Sequence, residues 1–290
     1  FESANANFES ATFDSNSNKV VIAYRDKGNS EYGTAVVGTV SGTSVSFGTP
    51  VVFESASSRL FSPTFDSNSN KVVIAYRDDG NSQHGTAIVG TVSGTSISFG
   101  SPTVFESAVV TDVTATFDSN SNKVVIAYKD DGNSEYGTAI VGTVSGTSIS
   151  FGSAVVFENS STDDISATFD SSNNKVVIAY ANPGNSTYGT AIVGTVSGTS
   201  ISFGSAVVFE SASSQHISAT FDSSANKVVI GYQDQNNSNH GTAIVGTVSG
   251  TSISFGSAVV FNAGGTERIS PIYDSNAQKV VIGYRDGGNS

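Results

Sequence analysis

A fold made only of β-strands, with one small antiparallel sheet repeated about an axis, is predicted by three features of this 290-residue chain. The first is a strict period. The stretch KVVIAYRDDGNS at Lys71–Ser82 recurs with small changes from Lys19, Lys123, Lys175, Lys227 and Lys279, and 71 − 19, like every later step, is 52. Repeats near this length, without insertions, mark arrays whose units all meet in one geometry. The second is the lack of any helical period, because Gly, Asn, Ser and Asp interrupt the chain every 6 to 12 residues. The third is the β-branched content of the apolar runs between those interruptions.

Each repeat resolves into four apolar segments. In the copy starting at Ser62, the first is Ser62-Pro63-Thr64-Phe65, closed by the turn cluster Asp66-Ser67-Asn68-Ser69-Asn70. The second, Lys71 to Tyr76, is an unbroken apolar run, as expected of a short strand covered on both faces. The third, Thr86 to Val92, follows Asp79-Gly80-Asn81-Ser82 and stops at Ser93-Gly94-Thr95. The fourth, Ser96 to Phe105, opens Ser-Ile-Ser-Phe, an alternation that leaves one polar face and suits an outer strand.

Four antiparallel strands per repeat describe the blades of a β-propeller, in which each sheet buries its faces on its neighbours. Each Val or Ile so withdrawn from water contributes about 1.5–3 kcal/mol before the entropy cost. The expected layout is a single domain over residues 1–290, with repeats near 1–52, 53–104, 105–156, 157–208 and 209–260 and a partial one at 261–290. Phe1 aligns with Phe53 and Ser290 with Ser82, so six inner hairpins accompany five outer ones. The reading is six radial units with the last incomplete; the alternative is five blades plus an extra hairpin. An unfinished blade exposes the edge near Val280 to Tyr284, which invites self-association. A β-solenoid fits less well, since its coils are usually shorter.

Composition narrows the partners. Net charge is −12 with 13 basic residues spread thinly, so no basic stripe exists to neutralise phosphates and nucleic acid is not an expected partner. Charged residues make up 13%, and a surface of hydroxyls and amides suits an extracellular or virion location. The chain has no Cys, hence no disulfide framework and no thiolate-bound metal. No apolar run approaches the ~20 residues that cross a bilayer, so membrane insertion is not expected. A start at Phe1, in mid-repeat and without Met, points to processing or excision from a longer chain.

Function is sought where the copies differ. Six residues before the repeating Phe or Tyr stand Asn7, Arg59, Thr111, Asp163, Gln215 and Glu267; five before it stand Phe8, Leu60, Asp112, Asp164, His216 and Arg268. The second variable place follows the second strand and begins with Arg25, Arg77, Lys129, Ala181, Gln233 and Arg285. In an up-and-down blade both connections emerge on one face, where surface loops on a rigid scaffold carry binding residues. The expected ligand face therefore comprises Arg25, Arg59, Leu60, Arg77, Asp112, Lys129, Asp163, Asp164, Gln215, His216, Glu267 and Arg268. The plainer account is free variation in exposed turns.

Other motifs favour structure. Asp14-Ser15-Asn16-Ser17-Asn18 has the oxygen spacing of half a calcium loop but lacks the later bidentate Glu, so a hairpin turn explains it better and no metal or cofactor is expected. The repeated Tyr24, Tyr76, Tyr128, Tyr180, Tyr232 and Tyr284 suit core packing with the hydroxyl at the rim. His84, His216 and His240 show no metal-ligand spacing, and no nucleophile elbow or phosphate loop is present.

Asp78-Asp79-Gly80-Asn81-Ser82 resembles the Asp-box turn of sialidase-like propellers, although its leading Ser and closing aromatic do not match. The segments FDSNSNKVVIAYRDDGNS and GTAIVGTVSGTSISFGS resemble highly repetitive β-propeller modules of environmental bacterial and phage surface proteins. The Trp-Asp signature of WD40 blades and the double glycine of kelch are absent. This resemblance implies adhesion or recognition of a glycan or cell-surface protein, without catalysis. A glycoside hydrolase using Asp112, Asp163, Asp164 and Glu267 is the alternative, and a structural spacer or filament subunit is a third.

Overall fold

The computed structural model describes residue 2 and residues 5–289. The equivalences expected for Phe1 and Ser290 lie outside the described residues. The structure is all-β and antiparallel, and its helical content among the described residues is four single 3₁₀ turns, such as Asp131–Asn133 and Pro183–Asn185. The chain divides into two compact units. One runs to Asn133 and includes Ile140–Ser153; the other comprises Ser134–Ala139 and the chain from Ala154 onward.

Within each unit the sheets are propeller-like. In the second repeat the first strand pairs with the second from Ser62↔Ala75 to Asp66↔Lys71, and the second pairs with the third from Val72↔Gly90 to Asp78↔His84. The second strand is the buried centre: Val72, Val73, Ile74, Ala75 and Tyr76 are fully covered, as its unbroken apolar run predicts. The outer Ser96–Phe99 strand buries Ile97 and exposes Ser96 and Ser98. Successive sheets pack face to face, so Val37 of the first repeat shares a cluster with Tyr76, Ile88 and Ile97 of the second. Val193 packs likewise with Tyr232, Ile244 and Ile253.

Two elements differ from expectation. The fourth strand is broken at Gly100–Pro102, where the chain leaves the third strand's far end and rejoins its near end. Its second part then runs without a loop into the next repeat's first strand, giving single 16-residue strands such as Val51–Asp66 and Val207–Asp222. The variable segment between them is thus extended backbone carrying a β-bulge. Register shifts fall between Asn7 and Ser10, Arg59 and Ser62, Asp163 and Ser166, Gln215 and Ser218, and Glu267 and Ser270.

Turns that each begin Asp-Ser close one end of each sheet. Asp14 Oδ1 accepts the Asn16 and Ser17 amides at 2.9 and 3.0 Å, and Oδ2 accepts the Ser17 hydroxyl at 2.6 Å. Asp66 repeats this arrangement. These carboxylates are engaged by donors, which is the hairpin-turn chemistry of the Asx motif.

Candidate functional site

The opposite end of each sheet carries the variation. The two variable places are directly opposed across the first and second strands: Asn7↔Arg25, Arg59↔Arg77, Thr111↔Lys129, Asp163↔Ala181, Gln215↔Gln233 and Glu267↔Arg285. Each repeat therefore presents its own cross-strand pair at the same end of its sheet.

Beside each pair sits the bulge. Phe8, Leu60, Asp112, Asp164, His216 and Arg268 all adopt left-handed backbone, with φ between 51° and 59°. A bulge re-aims the side chains that follow it, and the next residue turns into the core as Phe61, Ile165, Ile217 or Ile269. Left-handed backbone costs a non-glycine residue about 1–2 kcal/mol and is worst for β-branched side chains. None of the six copies has Val, Ile or Thr there. Leu60→Ile is therefore expected to lower stability by about 1–2 kcal/mol, whereas Leu60→Asn does not, as read from urea unfolding followed by far-ultraviolet dichroism.

The sequence-predicted residues come together as follows. Arg59 Nε and Arg77 Nε donate to the two oxygens of Asp79 at 2.6 and 2.8 Å, so one carboxylate clamps two opposed guanidinium groups. Opposed like charges repel across a sheet, and Asp79 offsets that repulsion. Arg25 is paired with Glu31 and reaches Ser57 Oγ at 3.3 Å. The Arg25 guanidinium beside the exposed Glu31 holds that carboxyl below its ordinary range. Thr111 Oγ1 donates to Asp131 at 3.0 Å opposite Lys129, and Arg285 meets Glu267 at 2.8 Å. Gln233 Nε2 donates to the Thr266 carbonyl at 2.6 Å.

These tips are joined from repeat to repeat. The Glu31 carbonyl accepts the Ser58 amide, Thr187 accepts Ser214, and Asn239 accepts Thr266, at 3.0–3.3 Å. Asp164 accepts the backbone N–H of His216, the bulge residue of the next repeat. The variable positions thus form a continuous row in each unit, with Arg25, Leu60 and the Arg59–Asp79–Arg77 group in the first and Asp163, Asp164, Gln215, His216, Glu267 and Arg268 in the second. Asp112 and Lys129 belong to the first unit's row.

Burial pushes the Asp164 carboxyl up, opposed by His216. A carboxyl raised on folding stabilises the fold at low pH and loses that contribution as pH rises through its folded pKa. Asp164→Asn, which keeps an acceptor for His216 N–H and tolerates left-handed backbone, is expected to raise the melting temperature at about pH 7 and leave it unchanged at about pH 3.

Sequence reasoning missed the groups beneath the row. The hydroxyls of Tyr76, Tyr128, Tyr180 and Tyr232 donate to Glu54, Glu106, Glu158 and Glu210 at 2.9–3.1 Å. Burial, with the carboxylate next, pushes these phenols up. The signal was a Phe-Glu pair ending 22 residues before each Tyr. Glu54 and Asp78, both raised by burial first, also repel each other. In the fourth repeat Asn182 takes the place of that Asp and donates to Glu158 at 2.9 Å. Among the described residues no group of three His, Asp or Glu could hold a metal ion.

No family model matches the chain. No curated protein matches it either. Among solved structures it is similar to AofleA from Arthrobotrys oligospora, with a TM-score of 0.59 at 7% identity over 97% of this chain and 81% of that one. It is similar also to a variant of AofleA with three evenly spaced arginines replaced by alanine, with a TM-score of 0.58 at 7% identity, covering 92% of this chain and 75% of that one. At this identity the likeness concerns fold alone.

Proposed function

We propose that the protein is a non-catalytic recognition module that holds glycans, presented at a cell or virion surface, through its rows of variable tips. One observation carries the reading: most of the residues that differ between repeats are gathered into hydrogen-bonded rows at one end of sheets whose remainder changes little. Guanidinium, carboxylate and amide groups there suit the paired hydroxyls of sugars, and the half-buried Tyr32, His84, Tyr136, Tyr188 and His240 add ring surface beside them. Side chains already fixed by neighbours lose little entropy on binding.

In this reading the repeats of each unit are propeller blades whose tips act together. Weak contacts at several tips multiply when the ligand is displayed in many copies. Glu267 is held by Arg285, an arrangement that favours positioning over acid–base chemistry. The protein then needs no cofactor and acts outside the cell or on a virion.

A glycan array run beside chromogenic glycosides tests the reading. Binding without turnover is expected, weakened about tenfold by Arg77→Ala, which dismantles the Asp79 clamp. Turnover that disappears in Asp163→Asn or Asp164→Asn overturns it.

A further inference from the structure

The tip of the second repeat holds more positive charge than its own carboxylates neutralise. Arg59 and Arg77 stand directly opposite each other in the strand register, where side chains lie about 5 Å apart and like charges repel. Arg25 and Arg285 each meet a carboxylate of their own, Glu31 and Glu267. Arg59 and Arg77 share one, Asp79, which each reaches through Nε. Asp78, next to Arg77 along the strand, projects to the other face of the sheet and accepts the Asn81 amide at 3.1 Å. Two guanidinium groups against one carboxylate leave a positive charge in excess, in a chain whose net charge is −12.

The excess has an origin in the sequence. Glu31, the partner of Arg25, is replaced one repeat later by Gln83. Both residues hold left-handed backbone, with φ of 64° and 63°, so the chain takes the same path at the two positions while the Gln amide carries no charge to offset Arg77.

The donors left over define what fits. A guanidinium has five N–H donors in a rigid fork, and Asp79 takes the Nε–H of each arginine. Among the described residues no acceptor meets the Nη–H groups of either. The Asp79 and Arg77 side chains are only 10% and 12% exposed, which fixes the pair, while Arg59 at 34% opens to solvent. Planar forks held in this way match the oxygens of a carboxylate or sulfate. A neutral sugar hydroxyl would leave the charge unbalanced.

We infer that the tip of the second repeat binds the oxyanion of an acidic glycan, the carboxylate or sulfate of a charged sugar, on Arg59 and Arg77, with Asp79 as the group that positions them. The inference rests on the glycan reading of the tips and names the class of sugar for this one.

Calorimetric titration of the full chain tests it, with a glucuronate-containing oligosaccharide, a sulfated one and a neutral one of the same length. At least one acidic ligand should bind about tenfold or more tighter than the neutral one, by a margin that shrinks as salt is raised. The two acidic arms distinguish carboxylate from sulfate. A chain of this net charge repels anions as a whole, so the preference reports a local site. Gln83→Glu restores the carboxylate that Glu31 supplies to Arg25, at an exposed position whose backbone already accepts Glu in the first repeat. It should leave the melting temperature and neutral binding unchanged and abolish the preference. Ser98→Glu adds the same charge on the exposed face of the outer strand, at the other end of the sheet, and should keep it. Equal binding of acidic and neutral ligands, a preference that survives Gln83→Glu, or one lost equally in Ser98→Glu overturns the inference and leaves the glycan reading standing. Binding of none of the three, on a chain that also binds nothing on the glycan array, overturns both.

Discussion

Tyr128→Ala is expected to lower stability by about 3–5 kcal/mol, the range for deleting a large buried aromatic ring. The side chain is fully covered, its ring lies 5.2 Å from that of Phe105, and its hydroxyl satisfies Glu106 at 3.1 Å. Removing it leaves a cavity between two sheets and a half-buried carboxylate short of a donor, and both effects act in the same direction. Tyr284→Ala is expected to cost less than half as much. That ring keeps its contact with Phe261, at 5.3 Å, but is 42% exposed, and Asn262 stands where the other repeats place Glu. Urea unfolding followed by far-ultraviolet dichroism measures both in a chain that has no Trp. Equal losses at the two positions would contradict the burial difference.

The second large effect concerns Gly204. Valine there drives its side chain into the Thr251 carbonyl, which is backbone and cannot swing aside. Two packed sheets must separate, with an expected loss of about 1–3 kcal/mol or more. Gly256→Val, the same change one repeat later, meets only a carbonyl 3.8 Å away and should stay within about 0.5 kcal/mol of the parent. The two substitutions share chemistry and local sequence, so their difference reports the neighbouring sheet alone.

Much of the architecture could be read directly. The Val72–Tyr76 run announced a doubly covered strand, the Ser96–Phe99 alternation announced an outer one, and Asp66-Ser67-Asn68 announced a tight turn, because each rests on local pattern or local hydrogen bonding. The continuity of Val51–Asp66 was not legible. Ser55, Ser57, Ser58 and Arg59 resemble a polar loop in composition, and only pairing with two different partners keeps them extended. The bulge at Leu60 was equally hidden, since Leu has no preference for left-handed backbone and tertiary pairing imposes it. For the candidate site, choosing positions by their variation found Arg59, Arg77 and the variable Arg77-Asp78-Asp79 connection, but not that Asp79 binds the two arginines together. Glu54 went unnoticed because it barely varies, and its role depends on a contact 22 residues away.

The long strands have a consequence for how the molecule comes apart. Val207–Asp222 begins as the outer margin of one sheet and ends as the inner margin of the next, with no flexible joint between. Fraying cannot stop at a repeat boundary, because releasing one half of such a strand loosens the anchor of the other. Opening should therefore advance two sheets at a time, and a protease given a nick within Ser211–Ser214 would find both neighbours yielding together.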